Sequence, residues 1–378
     1  MSNSTSAPLP SIAPRIGEAA LLITCLRGLP FVIPHDMNWS VLLALAEENG
    51  VLLLVYRTLL QSGVELPDFF TAVVVECKAL AEKFAAELEE LLQHFAEHSI
   101  EVLPLKGPVL ASAFYGGADL RMCNDLDLLV LPSEYNRAKV VLLNLGFTAG
   151  KADEYHCRFF RGEIPVELHH GIAKNKFFLL DMDSIWSRSR SESFHGKPMR
   201  AMSEDDLILY LCSHGLKHGF TRLVWILDIA LGLNGLRRCS YLEVVLRARQ
   251  RDMEPWLLIG CEVVRAMFPQ LLPDAMDAVI ASTWPSGAGR ARRAANKLFD
   301  RDMNDVINDY RGFYLQAQPS ALKRLRYRLR YLEPTNEDYR WAERHRIQPK
   351  FMIVLRPVRL LQKYGASMVW RILFPPQV

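Results

Sequence analysis

Residues 101–131 read EVLPLKGPVLASAFYGGADLRMCNDLDLLVL. An apolar run over 102–105 ends in Lys106-Gly107. A short helical pattern over 108–115, a Gly116-Gly117 turn and Arg121 follow, and then the run Asn124-Asp125-Leu126-Asp127-Leu128-Leu129-Val130. In a strand, residues two apart share a face. Asp125 and Asp127 are therefore expected side by side, with Leu126 and Leu128 turned toward a core. Adjacent carboxylates repel unless a cation lies between them. Hard oxygen donors of this kind suit Mg²⁺, which commonly takes one or two carboxylates and leaves its remaining positions to water and substrate phosphates. That is the chemistry of metal-assisted phosphoryl or nucleotidyl transfer.

With these residues in view, the chain resembles the polymerase-β-type nucleotidyltransferase superfamily, and more closely a poorly characterised bacterial nucleotidyltransferase-like family with a Leu-Lys-Gly motif. Lys106-Gly107 takes the position of the glycine that ends the first strand, and Asp125-x-Asp127 that of the Asp-x-Asp strand. Glu167, in Ile164-Pro165-Val166-Glu167-Leu168-His169-His170, takes that of a third carboxylate. Leu211-Cys212-Ser213-His214-Gly215-Leu216-Lys217-His218, followed by Trp225 and Asp228, is a further match. The resemblance spans residues 35–235. Pro108 departs from the pattern, because better-known members carry a serine beside the glycine. Lys106 and Arg121 are the residues left to contact a triphosphate.

The resemblance implies a mixed α/β (α+β) protein with a small mixed-sheet nucleotidyltransferase core. It implies transfer of a nucleotidyl group from an NTP to an unidentified acceptor (a small molecule, peptide, protein or RNA), with two Mg²⁺ ions, or Mn²⁺ in their place. Asp125, Asp127 and Glu167 would be both the metal ligands and the catalytic carboxylates. Lys106, Gly107, Arg121, His169, His214, Lys217 and His218 would line the nucleotide site. Read on their own, several of these residues have plainer uses. A Glu between Val and Leu is common on an exposed strand face, His169 could simply hold a structural hydrogen bond, and Lys106 or Arg121 could be surface cations. His214, Lys217 and His218 are spaced to share one helix face; Gly219 offers a place for a break, but a helix unbroken there would bring Asp228 back to that face for pairing with one of those bases. His214-x-x-x-His218 lacks the neighbouring Glu of a metalloprotease motif.

At 378 residues, half of them apolar and 23% charged, the chain has the balance of a globular protein of two or more domains. A net charge of +3 suits an anionic substrate and falls far short of a nucleic-acid-coating polycation. Seven scattered cysteines with no Cys-x-x-Cys pair argue against a disulfide framework or a zinc site, and a reducing cytoplasm is the expected compartment. No apolar run reaches the length of a bilayer span.

Four regions are expected: a disordered lead-in over 1–14, a helical region over 15–99, the core over 100–200, and a helical region over 201–378 with a basic tail. The second includes a long helix with Phe84, Leu88, Leu91, Leu92 and Phe95 on one face, and a shorter one capped by Asn38 or Ser40. Strands are expected near 101–105, 125–131, 156–160 and 164–169, and a helix from Pro132 to Gly146. Ser203-x-x-Asp206 has the form of a capping box. Residues 321–371 hold 13 Lys/Arg against 4 Asp/Glu. That tail is open to several uses: a solvated helix face, an RNA or acidic-lipid surface, or a site for an acidic protein partner. Two other readings of the whole chain stand beside the enzyme: an RNA-binding protein using this tail, or a catalytically inactive nucleotide-binding scaffold that kept the fold.

Overall fold

The computed structural model describes residues 16–152, 155–172, 182–299, 314–315 and 317–373. The expected lead-in over 1–14 lies outside the described residues, as do parts of the helical region expected over 201–378. Four helices come first: α1 (Ile16–Arg27), α2 (Trp39–Glu48), α3 (Leu52–Gln61) and α4 (Asp68–Glu97). Asn38, rather than Ser40, caps α2, its Oδ1 accepting from the Val41 N–H at 3.2 Å. On α4 the expected face is buried at Phe84, Leu88, Leu91, Leu92 and Phe95.

Five strands then form one sheet: β1 (Leu103–Pro104), β2 (Leu126–Leu129), β3 (Thr148–Ala152), β4 (His156–Arg161) and β5 (Ile164–His169), in the order β1-β2-β5-β4-β3. β2 and β5 run parallel and the other neighbours antiparallel. β3 was not expected. All five of its residues are exposed, so no alternation marks it. Between β1 and β2 lie the short α5 (Pro108–Leu110) and a π turn, Ala111–Tyr115, which Gly116 ends at φ +84°. α6 (Tyr135–Asn144) links β2 to β3, and α7 (Met182–Arg188) precedes a hairpin of β6 (Arg190–Phe194) and β7 (Lys197–Ala201). That hairpin turns on His195 and Gly196, both at positive φ, as a two-residue turn of its hand requires.

α8 (Glu204–Lys217), α9 (Leu223–Asn234), α10 (Tyr241–Gln250), α11 (Glu254–Met267), α12 (Asp274–Thr283) and α13 (Pro285–Phe299) follow. The tail holds α14 (Ala321–Arg330), α15 (Asn336–Arg344) and α16 (Met352–Leu373), the last broken at Gly365. Ser203 caps α8 by position, but its hydroxyl donates to the Asp206 carboxylate at 2.9 Å, not to the backbone. Arg188 holds the same carboxylate through two hydrogen bonds. The expected capping box is thus replaced by a side-chain network.

Strand alternation divides the packing. Leu126, Leu128, Val166, Leu168, Cys157 and Phe159 join the C-terminal half of α4 and α6 in one apolar cluster. Leu103, Leu105 and Leu129 belong to another, shared with α1–α3 and the helices from α8 onward. α4 supplies Phe70 and Val74 to the second cluster and Phe84 to Phe95 to the first. The division expected at residue 99/100 therefore runs through shared cores. Together these elements make a mixed α/β fold with helical flanks.

Candidate active site

The cross-strand register places the charges. Asp127 on β2 stands opposite Glu167 on β5, which stands opposite Arg158 on β4. His169 lies two residues beyond Glu167, on the same face. Across from this row runs α8, with Tyr210, His214 and Lys217 one turn apart. Between them is a cleft of about 360 Å³, bordered by all ten residues singled out from the sequence. It is also bordered by Tyr155, His156, Arg158, Tyr210 and Arg222, which sequence reasoning passed over, and by Trp225, named there only as part of the resemblance.

Lys106 is the hub. It follows β1, where the Leu105 N–H donates to the Asp127 carbonyl at 2.9 Å and fixes the chain beside β2. Its ammonium lies 2.8 Å from Asp127 Oδ2 and 3.1 Å from His214 Nε2. Burial works against its charge, but Asp127 overrides that and holds the ammonium well above its ordinary pKa. Burial likewise raises the Asp127 carboxyl, yet Lys106 and His169 together hold it well below the usual range. The His214 ring, buried and beside Lys106, is driven well below the usual imidazole range. It is neutral and accepts from Lys106 through Nε2.

His169 Nε2 sits 3.1 Å from Asp127 Oδ1 and 3.5 Å from Glu167 Oε2. Burial opposes its protonation, but these carboxylates push its pKa up to about 9. Glu167 is held down to about 2 despite burial, by His169 and by Arg158, whose Nε donates at 2.9 Å. Asp125 is raised to about 6 by burial and by the neighbouring Asp127 charge. The repulsion read from the acid pair is thus real, but Lys106 and His169 supply its counter-charge from within the chain.

Two expectations change. Asp125 lies just ahead of β2, which begins at Leu126, so strand alternation does not place it. Among the described residues, the group able to hold a metal ion is Asp127, Glu167 and His169, whose ligating atoms all lie within 4.8 Å of one another. His169 joins the two acids in that group, and Asp125 borders the same cleft. The second change concerns Arg121 and Asp228. Gly219 and Phe220, at φ +61° and +50°, break the helix between α8 and α9, so Asp228 does not return to the histidine face. It instead takes two hydrogen bonds from Arg121, at 2.8 and 2.7 Å, and one from the Tyr115 hydroxyl at 2.7 Å. Arg121 borders the cleft, but its guanidinium is committed to this pair.

Gly107 adopts φ +72° and ψ −137°, a conformation open to glycine alone. A Cβ there would meet nothing closer than 3.9 Å, so backbone geometry, not crowding, requires the glycine. On the α8 wall, His218 packs against His214 and Trp225 with ring centroids 4.8 and 5.1 Å apart. Burial, followed by Lys217, lowers its pKa to about 4. Lys217 lies over the Tyr155 ring at 5.9 Å. The alternation His156-x-Arg158 and the spacing Tyr210-x-x-x-His214 were the signals that would have added these lining residues.

The oxygen donors of Asp127 and Glu167 match what a hard divalent cation requires; His169, kept protonated by those same carboxylates, adds a nitrogen only once it gives up its proton. Cations and neutral imidazoles beside paired carboxylates form a site fitted to a polyanion accompanied by a metal.

No curated protein matches the chain. Among solved structures, the solution structure of the antibiotic-resistance factor ANT(2'')-Ia is similar at 16% identity and a TM-score of 0.36, over 44% of this chain and 91% of that one. Residues 35–269 match the model of a family described as uncharacterised nucleotidyltransferases, starting where the resemblance begins and reaching past its end at 235. With well over half its length matched, the chain belongs to that family of nucleotidyltransferases and is a transferase.

Proposed function

We propose that the protein transfers a nucleotidyl group from an NTP to an acceptor hydroxyl or similar nucleophile, with pyrophosphate leaving, in the cleft between β2–β5 and α8. The observation that carries this is the group formed by Asp127, Glu167 and His169, ligating atoms within 4.8 Å of one another, with Lys106 beside it. Asp127 and Glu167 would hold Mg²⁺, with Asp125 at the cleft edge as a further carboxylate. The bound metal supplies charge neutralisation of the triphosphate and activation of the attacking oxygen.

The chain's own residues do the rest. Lys106 has three N–H donors, two of them on Asp127 and His214. It is placed to exchange Asp127 for a phosphate oxygen when the nucleotide arrives. Charge developing on the transferred group favours such a fixed cation further. Glu167 stays ionised at neutral pH; with its pKa held down to about 2 it is a weak base, and it takes the acceptor's proton only from a hydroxyl acidified by the bound metal. His214 and His218, both neutral, offer hydrogen-bonding and stacking surfaces without repelling Lys106. Arg121 is assigned to the scaffold, because Asp228 already satisfies its fork.

The test incubates the protein with each of the four NTPs, labelled at the α-phosphate, with Mg²⁺ or Mn²⁺ and cell extract as acceptor source. Label should enter a product and pyrophosphate should appear. Both should be lost with a chelator and in Asp127→Asn. Nucleotide binding without pyrophosphate release from any NTP would instead favour the inactive scaffold.

A further inference from the structure

The C-terminal helices leave apolar faces uncovered. On α16, Met352 and Leu360 are buried, while Ile353, Val354, Val358, Leu361 and Tyr364 are exposed. At 3.6 residues per turn these five fall within an arc of about 140°. Ile353 and Val354 are 67% and 72% accessible, and Trp370, beyond the Gly365 break, is 64%. α14 repeats the arrangement. Tyr327 is buried, and Leu322, Leu325 and Leu329, spaced three and four apart, form an exposed stripe. Side chains of this kind gathered on a surface mark a place where something binds.

Charge indicates what covers them. Residues 321–371 carry 13 of the 45 Lys/Arg and 4 of the 42 Asp/Glu, so this segment bears +9 and the remainder of the chain −6. Some of these cations serve the fold. Lys323 bonds Glu254 at 2.6 Å, Arg356 and Arg359 hold Asp338, and Lys363 bonds Glu337 at 2.7 Å. Others do not point inward: Arg344, Arg346 and Lys350 are exposed immediately ahead of the α16 apolar arc.

We infer that α14 and α16 form a peripheral docking surface for an anionic lipid bilayer, lying in its interface with the aliphatic arc toward the acyl chains and the cations at the headgroups. An exposed apolar arc, adjacent Lys and Arg, and Tyr and Trp at its margin are the features such an interfacial helix uses. A second copy of the chain would bring another +9 against the same face. RNA would find cations and the Tyr364 and Trp370 rings, but would leave the aliphatic arc of Ile353, Val354, Val358 and Leu361 in water. Among the described residues no helix is long and apolar enough to cross a membrane, so the contact is with the surface of the bilayer. This inference is independent of the chemistry in the cleft.

Full-length protein is centrifuged with vesicles of phosphatidylcholine alone or with about 30% phosphatidylglycerol, at low and high salt. Binding to the anionic vesicles, at least about tenfold stronger than to the neutral ones and weakened by salt, is expected. Val354→Glu with Val358→Glu should lower that binding by at least about tenfold, with an unchanged melting curve because both positions are exposed. Lys350→Glu should cost at least about fivefold. Failure of the wild-type protein to bind anionic vesicles at low salt would overturn the proposal whatever the variants do. So would full binding by a folded Val354→Glu, Val358→Glu protein, or a concentration-dependent dimer in lipid-free solution that this variant abolishes.

Discussion

Two buried ion clusters border the same cleft and behave differently. Arg121 and Asp228 form a closed pair: a bidentate fork, each oxygen matched to a nitrogen, with the Tyr115 hydroxyl completing Asp228. Around Asp127 the charges are shared and unequal. Lys106 divides itself between Asp127 and His214, His169 between Asp127 and Glu167, and Asp125 is pushed up to about 6 by burial and its neighbour's charge. A closed pair lowers its own energy and has nothing left for a ligand. A cluster in which each cation serves more than one partner can exchange one of them for a phosphate at modest cost. Adjacent buried charges therefore separate into scaffold and site by how completely they satisfy one another.

Four measurements would sharpen or break that distinction. The largest effect is expected at Glu167. Glu167→Gln keeps the shape and removes the charge, so turnover should fall by about two to four orders of magnitude, with a smaller loss of melting temperature than in Asp228→Asn, because Arg158 is half exposed and His169 keeps Asp127. A large loss of melting temperature with activity per folded molecule intact would move Glu167 into the scaffold. Asp228→Asn should give the reverse. It leaves the Arg121 guanidinium buried without its counter-charge, at a cost of about 3–5 kcal/mol in urea unfolding. Nucleotide affinity of the folded fraction should be unchanged.

The third effect is smaller. Lys106→Ala should weaken NTP binding by about 1.5–3 kcal/mol in calorimetry, the range for a hydrogen bond to a charged group. Unaltered affinity would assign the phosphates elsewhere. The smallest concerns the α8 wall. His218 is held neutral in the folded protein down to about pH 4, whereas in the unfolded chain it gains its proton near 6.5. The unfolded state thus binds more protons between those values, and stability should fall as pH drops from about 6.5 toward 4. Melting scans at pH 7 and pH 5 should show a smaller loss in His218→Gln than in the wild type. Equal losses in both would show that His218 has no part in it.

Much of the site was legible because strand periodicity is a local property. Leu126 and Leu128 could be assigned to the core from Asp127 alone, and Glu167 from its place between Val166 and Leu168. β3 was not, because no buried residue marks it. The cost of pairing Asp125 with Asp127 was visible, but not the identity of the counter-charge. Lys106 lies 21 residues before Asp127, and His169 lies 42 after it. Only a parallel β2–β5 ladder beside β1 brings the three together.

The linear chain by itself determined most of the helices and the strands that carry the site, the apolar faces of α4 and the central strands, the carboxylates available for chemistry and the excess of cations in the tail. These follow from spacing and composition, which act over one or two turns of backbone. Which cation meets which carboxylate was decided only by the tertiary structure. Charge pairing depends on distance in space and on burial, and both are set by contacts far apart in the chain. The break at Gly219 and Phe220 is the clearest instance: a few backbone angles remove Asp228 from the histidines of α8 and give it to Arg121, 107 residues away.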